Sequence, residues 1–216
     1  MKMAQLEIFR KTVGSMGTNC YIMVNHDTKE CVIFDPGDDG EALKQAIDEG
    51  GYIPKAIILT HGHFDHIGAV KALKDAYQIP LYCSKEENDQ ILSRLEGNLS
   101  RMIDRPMTFE ADEFVRDGEE LEIIGTTLFC IATPGHTIGG MCYYNKELKS
   151  VIAGDTLFAG SVGRTDFPTG NGAQLLLSIT EKLYALPDDT KVFPGHMDSS
   201  TIGYEKKTNM VVGPVL

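Results

Sequence analysis

The sequence predicts a mixed α/β fold of two β-sheets packed face to face with helices outside. Two observations carry that expectation. Apolar strand-like runs and amphipathic helical stretches fall into two strand-rich halves, and four histidine or aspartate clusters each sit where an apolar run ends. A sheet could present all four clusters along one edge. With 216 residues, 42% hydrophobic and 24% charged, the chain is long enough for one well-buried domain over 1–216, and no linker divides it.

Leu6 to Thr12 and Asn19 to Asn25 read as strands joined by a turn around Gly14-Ser15-Met16-Gly17. His26 lies in the next turn, far from other ligand types, and reads as a solvated turn residue. Cys31 to Phe34 is a buried strand. Asp35-Pro36-Gly37-Asp38-Asp39 ends it and caps a helix over Glu41 to Glu49, with Leu43, Ala46 and Ile47 on one face. Asp35 is open to two readings, a turn residue or a partner for a ligand histidine.

Ala56 to Leu59 is the next strand, followed by a helical stripe of Ile67, Val70, Leu73 and Tyr77. Ile79 to Cys83 gives a short strand and Lys85 to Leu95 a polar helix. The segment 97–112 is irregular and reads as a lid or as a crossing between halves. Strands follow at Glu120 to Ile124, Thr127 to Thr133, Met141 to Tyr144 and Ser150 to Ala153. Asn171 with Gln174 resembles a capping box for a helix whose stripe is Leu175, Leu176, Ile179, Leu183 and Leu186. Lys191 to Phe193 is the last predicted strand.

A net charge of −11 disfavours nucleic-acid or anionic-membrane partners, which need a basic face. Met1 to Glu7 has no signal-peptide apolar core, and no segment is long enough to span a bilayer. The five cysteines form an odd set without C-x-x-C spacing and are expected as buried free thiols, so a reduced, cytoplasmic chain is expected. The sequence does not specify an oligomeric state.

The chemistry concentrates at His61-Gly62-His63-Phe64-Asp65-His66, directly after Thr60. Imidazole nitrogens and carboxylate oxygens are ligands that zinc and iron accept. Four ligand groups on one short turn do not reach a single ion comfortably, so the spacing suggests two adjacent ions. Gly62 and Gly68 let the backbone fold tightly there. His136, Asp155 and His196 each follow an apolar strand and a glycine, namely Gly135, Gly154 and Gly195.

With these residues in hand, the sequence resembles the metallo-β-lactamase superfamily: H-x-H-x-D-H at 61–66, Pro-Gly-His-Thr at His136, Gly-Asp-Thr at Asp155 and Gly-His at His196. The resemblance implies an αβ/βα four-layer sandwich carrying two divalent metal ions, with zinc the expected ion and iron an alternative. His61, His63 and His136 would hold one metal, Asp65, His66 and His196 the other, and Asp155 would bridge them. The best-known β-lactamase subclass carries Cys where Asp155 stands, and flavodiiron proteins usually carry Glu in place of His63. The superfamily's RNA-processing nucleases are typically larger.

Gly154 to Phe167, containing Gly163-Arg164-Thr165-Asp166, looks like the glyoxalase II (hydroxyacylglutathione hydrolase) branch and is also similar to persulfide dioxygenases. The first likeness implies a thioester hydrolase for a small-molecule thioester or thiol conjugate. Its nucleophile would be a metal-bridging hydroxide oriented by Asp65, and Arg164 would contact the substrate's carboxylate or else brace the loop through Asp166. The second likeness implies a mononuclear iron dioxygenase on His61, His136 and Asp155. Full-length glyoxalase II supplies glutathione contacts from a C-terminal helical domain. Here Met197 to Leu216 follow His196, with Met197 and Asn209-Met210 where compact relatives carry Gly and Asn-Pro, so the thiol stays open.

Overall fold

Alternation within strands buried on both faces divides the core into three layers. In β2 (Thr18–Asn25), Cys20, Ile22 and Val24 enter one apolar cluster while Tyr21 and Met23 enter another. The computed structural model describes residues 5–213. The leader-free reading of the N-terminus rests partly on residues 1–4, which lie outside the described residues, as do residues 214–216.

One mixed sheet has the order β1 (Leu6–Val13), β2, β3 (Glu30–Phe34), β4 (Ile53–Ile58), β5 (Leu81–Ser84) and β6 (Glu113–Val115). Its first three strands run antiparallel, and β3 to β6 run parallel. The second contains β7 (Glu120–Ile123), β8 (Thr126–Ala132), β9 (Met141–Asn145), β10 (Ser150–Gly154), β13 (Lys191–Pro194) and β14 (Ser200–Thr201), in the order β14-β13-β10-β9-β8-β7. The β10–β13 pair is parallel and the others antiparallel. A small hairpin of β11 (Leu157–Phe158) and β12 (Ser161–Val162) lies between β10 and the last helices in sequence.

Leu43 and Ile47 of α1 (Gly40–Glu49) and Val70 and Leu73 of α3 (Val70–Tyr77) cover the outer face of the first sheet. Tyr21, Phe34 and Ile58 meet Leu128, Tyr143 and Ile152 between the sheets. Leu175 of α5 (Gly172–Leu177), Ile179 and Leu183 beyond it, and Ile202 of α6 (Ile202–Thr208) cover the second. The layers are those of the αβ/βα sandwich that the sequence predicted.

Several details differ. The helix expected from Ile67 onward is two, α2 (Phe64–Ile67) and α3, broken at Gly68-Ala69. The polar helix at 85 is α4 (Lys85–Glu87) followed by a wider π-type turn to Leu92, with Glu87, Ile91 and Leu92 buried. No side chain of the 35–39 stretch caps α1: Asp39 is left-handed, and its carboxylate accepts from Gly14 N–H. Asn171 does cap α5 by accepting from Gln174 N–H, but its own N–H donates to the Gly135 carbonyl. His26 sits in its turn, half-buried beside Glu7, Phe9 and Tyr52. All five cysteines are free and buried. Segment 97–112 is tied down: Asn98 accepts from Phe64 N–H, and Met107, Phe109 and Ala111 pack on the first core.

Tyr143, fully buried on β9, donates to the Leu59 carbonyl at 2.8 Å and so joins the two sheets. Tyr143→Phe is expected to cost about 1–2 kcal/mol by stranding that carbonyl, lowering Tm by roughly 3–6 °C. Thermal unfolding of the chelated protein measures it; an unchanged Tm would deny the bond any weight.

Candidate metal centre

Every candidate ligand follows the C-terminal end of a strand: His61, His63, Asp65 and His66 follow β4, His136 follows β8, Asp155 follows β10 and His196 follows β13. The first strand belongs to one sheet and the last three to the other. The ligands therefore straddle both sheets, where the sequence suggested the edge of one. Two glycines make the approach possible. A Cβ on Gly154 (φ +49°) would fall 2.2 Å from Thr60 Oγ1, and one on Gly195 would fall 2.2 Å from Asp155 Oδ1. Gly62 and Gly68 likewise serve close packing rather than unusual dihedrals, since a Cβ on Gly68 would meet the Gly37 carbonyl at 2.2 Å.

Two ligand groups converge. His61, His63 and His136 offer ligand atoms within 4.8 Å of one another, and so do Asp65, His66 and His196. Asp155 stands between them: Oδ1 lies 3.4 Å from His66 Nε2, and Oδ2 lies 3.6 Å from Nε2 of both His136 and His196. The structure thus brings together the residues that the family resemblance names for each set. Asp35, His61 and His66 also cluster, but the Asp35 oxygens are already engaged.

The hydrogen bonds fix which nitrogens face inward. Asp35, 1% exposed, accepts from Thr60 N–H at 2.7 Å, Thr60 hydroxyl at 2.6 Å and His66 Nδ1–H at 3.0 Å. The Thr60 hydroxyl donates its one hydrogen to Asp35, so at 3.2 Å its oxygen accepts from His61 Nδ1–H. His136 Nδ1 donates to the Arg164 carbonyl at 2.7 Å. Each of these rings is thus held by Nδ1 with Nε2 turned to the centre, the arrangement that prepares histidine for a metal. Asp35 takes the partner role that the sequence left open.

The electrostatics separate the two groups. Burial and the neighbouring imidazoles His66, His136 and His63 push His61 well down, and burial with His136 pushes His63 down to about 3. Burial also opposes protonation of His66, but Asp155, Asp65 and Asp35 override it and raise its pKa well above the usual value. His196 is raised against burial by its hydrogen bond to Asp65 and by Asp155. Burial disfavours ionised Asp65, yet His66 and His196 hold its carboxyl below the usual range.

Four buried atoms at this centre, Nε2 of His61, His63 and His66 and Oδ1 of Asp155, have no hydrogen-bond partner. Buried polar atoms without a partner cost stability unless something takes them up. The donor set, imidazole nitrogen with carboxylate oxygen, is what divalent zinc or iron accepts. The residues fit two such ions.

Arg164 lies at the rim. Its exposed guanidinium binds Asp166 through two 2.7 Å hydrogen bonds and stacks 3.9 Å over Phe167, which meets His63 edge-on. The bracing of the loop through Asp166 is thus present. Tyr143 is core, while Tyr204 is exposed. Sequence reading passed over Thr60, Thr18, whose hydroxyl donates to Asp65 Oδ2 at 3.1 Å, and Phe158, edge-on to His196. A polar residue ending an apolar strand was the available signal for Thr60.

Asp35→Asn keeps the size and tolerates the left-handed backbone (φ +47°) but replaces an acceptor by a donor. It is expected to weaken zinc binding about 10–100-fold, read by competition with a chromophoric chelator. Because His66 and His196 retain protons to higher pH, zinc must displace them. Zinc titration in weak buffer near neutrality should release protons, and affinity at that group should rise with pH; pH-independent affinity would contradict the assignment.

Residues 13–196 match the Metallo-beta-lactamase superfamily. The probable metallo-hydrolase YqgX of Bacillus subtilis is 38% identical over 201 residues, covering 93% of this chain and 94% of that protein. Hydroxyacylglutathione hydrolase GloC of Haemophilus influenzae is 37% identical over 199 residues, covering 91% and 93%. The crystal structure of BLEG-1 B3 metallo-β-lactamase superposes with a TM-score of 0.90 at 39% identity, over 95% of this chain and 99% of that one. The chain belongs to the metallo-β-lactamase superfamily, and its site is that of a metal-dependent hydrolase.

Proposed function

We propose that the chain is a dinuclear, most naturally zinc-loaded, thioester hydrolase acting on S-2-hydroxyacyl thiols. The carrying observation is the pair of complete ligand groups, His61–His63–His136 and Asp65–His66–His196, with Asp155 facing both. The thioester class is supported by the similarity to GloC and by the Gly163-Arg164-Thr165-Asp166 segment. Two divalent ions in these groups would supply a Lewis acid for the thioester carbonyl and a water acid enough to attack near neutral pH.

The chain's own residues do the rest. Asp65, kept ionised and held by Thr18 and His196, would orient the attacking water or hydroxide by accepting a hydrogen bond from it. The leaving thiolate has a pKa near ~8.5 and needs no strong general acid. A cleft of about 250 Å³, with Val13, Met16, Phe64, Ile103, Arg105 and Met107 in its walls, opens beside Asp65 and suits one arm of the substrate. Arg164 has five donor N–H groups and gives two to Asp166, so it can still contact a substrate carboxylate.

The partner is a small-molecule thioester or thiol conjugate rather than nucleic acid, in keeping with a net charge of −11. Among the described residues no helix is long and apolar enough to cross a membrane. Five free, buried thiols support a reducing, cytoplasmic setting.

Metal content of gently purified, unchelated protein is the first test. About two zinc ions per chain with turnover of S-lactoylglutathione are expected. About one iron with little zinc, and persulfide-dependent oxygen uptake, would replace the reading with the dioxygenase on His61, His136 and Asp155. Turnover of β-lactams without thioesters would instead align the substrate with that of BLEG-1. Asp155→Ala is expected to reduce activity to background, and full turnover in that variant would remove the bridging role.

A further inference from the structure

We infer that Glu87 is a positioning residue that sets the distance between the two loops holding the first ligand group, resting on the metal-site reading above. Its Oε1 accepts from Gly62 N–H at 2.8 Å, and its Oε2 accepts from Thr137 hydroxyl at 2.8 Å and Gly139 N–H at 3.1 Å. Gly62 lies between His61 and His63, and Thr137 follows His136. One carboxylate therefore grips both loops, which come from different sheets.

The local sequence makes this grip unusual. Ser84-Lys85-Glu86-Glu87 has capping-box spacing, and Ser84 Oγ does accept from Glu87 N–H at 3.1 Å. In a capping box the glutamate would turn back to the serine N–H. Glu87 instead sends its carboxylate into the interior, where it is completely buried. Burial pushes its pKa up to about 7, against the pull of its three donors. A buried carboxylate is expensive, and an ionised one is acceptor-only, matching three donors.

The second loop is seated on the same turn. Ser84 Oγ donates to the Gly139 carbonyl at 2.7 Å, and a Cβ on Gly139 would fall 2.2 Å from Glu87 N. What the grip positions is visible across the gap, where His63 Nδ1 and His136 Nε2 stand 3.0 Å apart. Small changes in loop spacing fall directly on the bite of that ligand group and leave Asp65, His66 and His196 with their own supports.

The test separates the two ligand groups. His196→Ala leaves His61–His63–His136 as the intact group, and His63→Ala leaves Asp65–His66–His196. Glu87→Gln is placed in each background, because its amide would set a donor against a donor. Zinc affinity is read by chelator competition and folding by circular dichroism. The expected result is a loss of about 10–100-fold in the His196→Ala background, and a change within about twofold in the His63→Ala background. Thr137→Val, which removes one donor, should give a smaller loss with the same asymmetry and carries the test if Glu87→Gln does not fold. Equal losses in both backgrounds, or none in either, would overturn the inference. Wild-type protein that takes up no zinc would overturn the metal-site reading itself, and the inference with it.

Discussion

Each ligand group draws side chains from both sheets, so the centre exists only while the two sheets hold their relative position at one end. That position is secured by hydrogen bonds close to the ligands. Leu59 and Thr60, just before His61, accept from Tyr143 hydroxyl and Met141 N–H of the second sheet. On the other side, Pro194 accepts from Tyr21 hydroxyl and from Asn19 Nδ2, and Gly195 accepts from Asn19 N–H. The apolar layer between the sheets gives most of the attraction, but it is non-directional. The directional bonds at the edge convert sheet packing into ligand geometry.

Holding those side chains there has a cost in the metal-free chain. Buried ring nitrogens of His61, His63 and His66 lack partners, and Asp35 and Met197 adopt left-handed backbone at φ +47° and +68°. Aspartate tolerates that region through its short polar side chain, whereas methionine does not favour it. The glycine that compact relatives tend to carry at the Met197 position would sit there without strain. Local stability has thus been given up around the site, as is common where function fixes geometry. The Asp35–Thr60 pair offsets part of it by orienting His61 and His66 together.

The parts legible in the sequence share a physical reason. Strands buried on both faces read as continuous apolar runs, so β2, β3, β10 and the second half of β4, from Ala56, stand out. The ligand residues stand out because they interrupt such runs with groups that a core does not otherwise take. The break between α2 and α3 was hidden because Gly68 falls within a continuous helical period. Strands β6, β11, β12 and β14 are two or three residues long, too short for any alternation to show. Asp35 was ambiguous because its partners lie 25 and 31 residues away. Glu87 was invisible because it falls in a stretch that reads as a polar helix, with its partners 25, 50 and 52 residues away.

The same division separates chemistry from selectivity. The ligands come from short motifs at strand ends, where few residue types can serve, and any sequence with that chemistry must show them. The walls are different. Met16, Ile103 and Met107 line the cleft beside Asp65, while Phe167 and Arg164 flank the first group, and none of the five lies in a strand or an α-helix. Such positions accept many side chains without cost to the fold. A substrate arm is selected by the sum of their shapes and charges, a quantity with no spacing and no period to read. The motifs therefore identify the reaction centre more sharply than they identify the thiol, and the residues around Arg105 and Arg164 are where related chains on this fold can diverge.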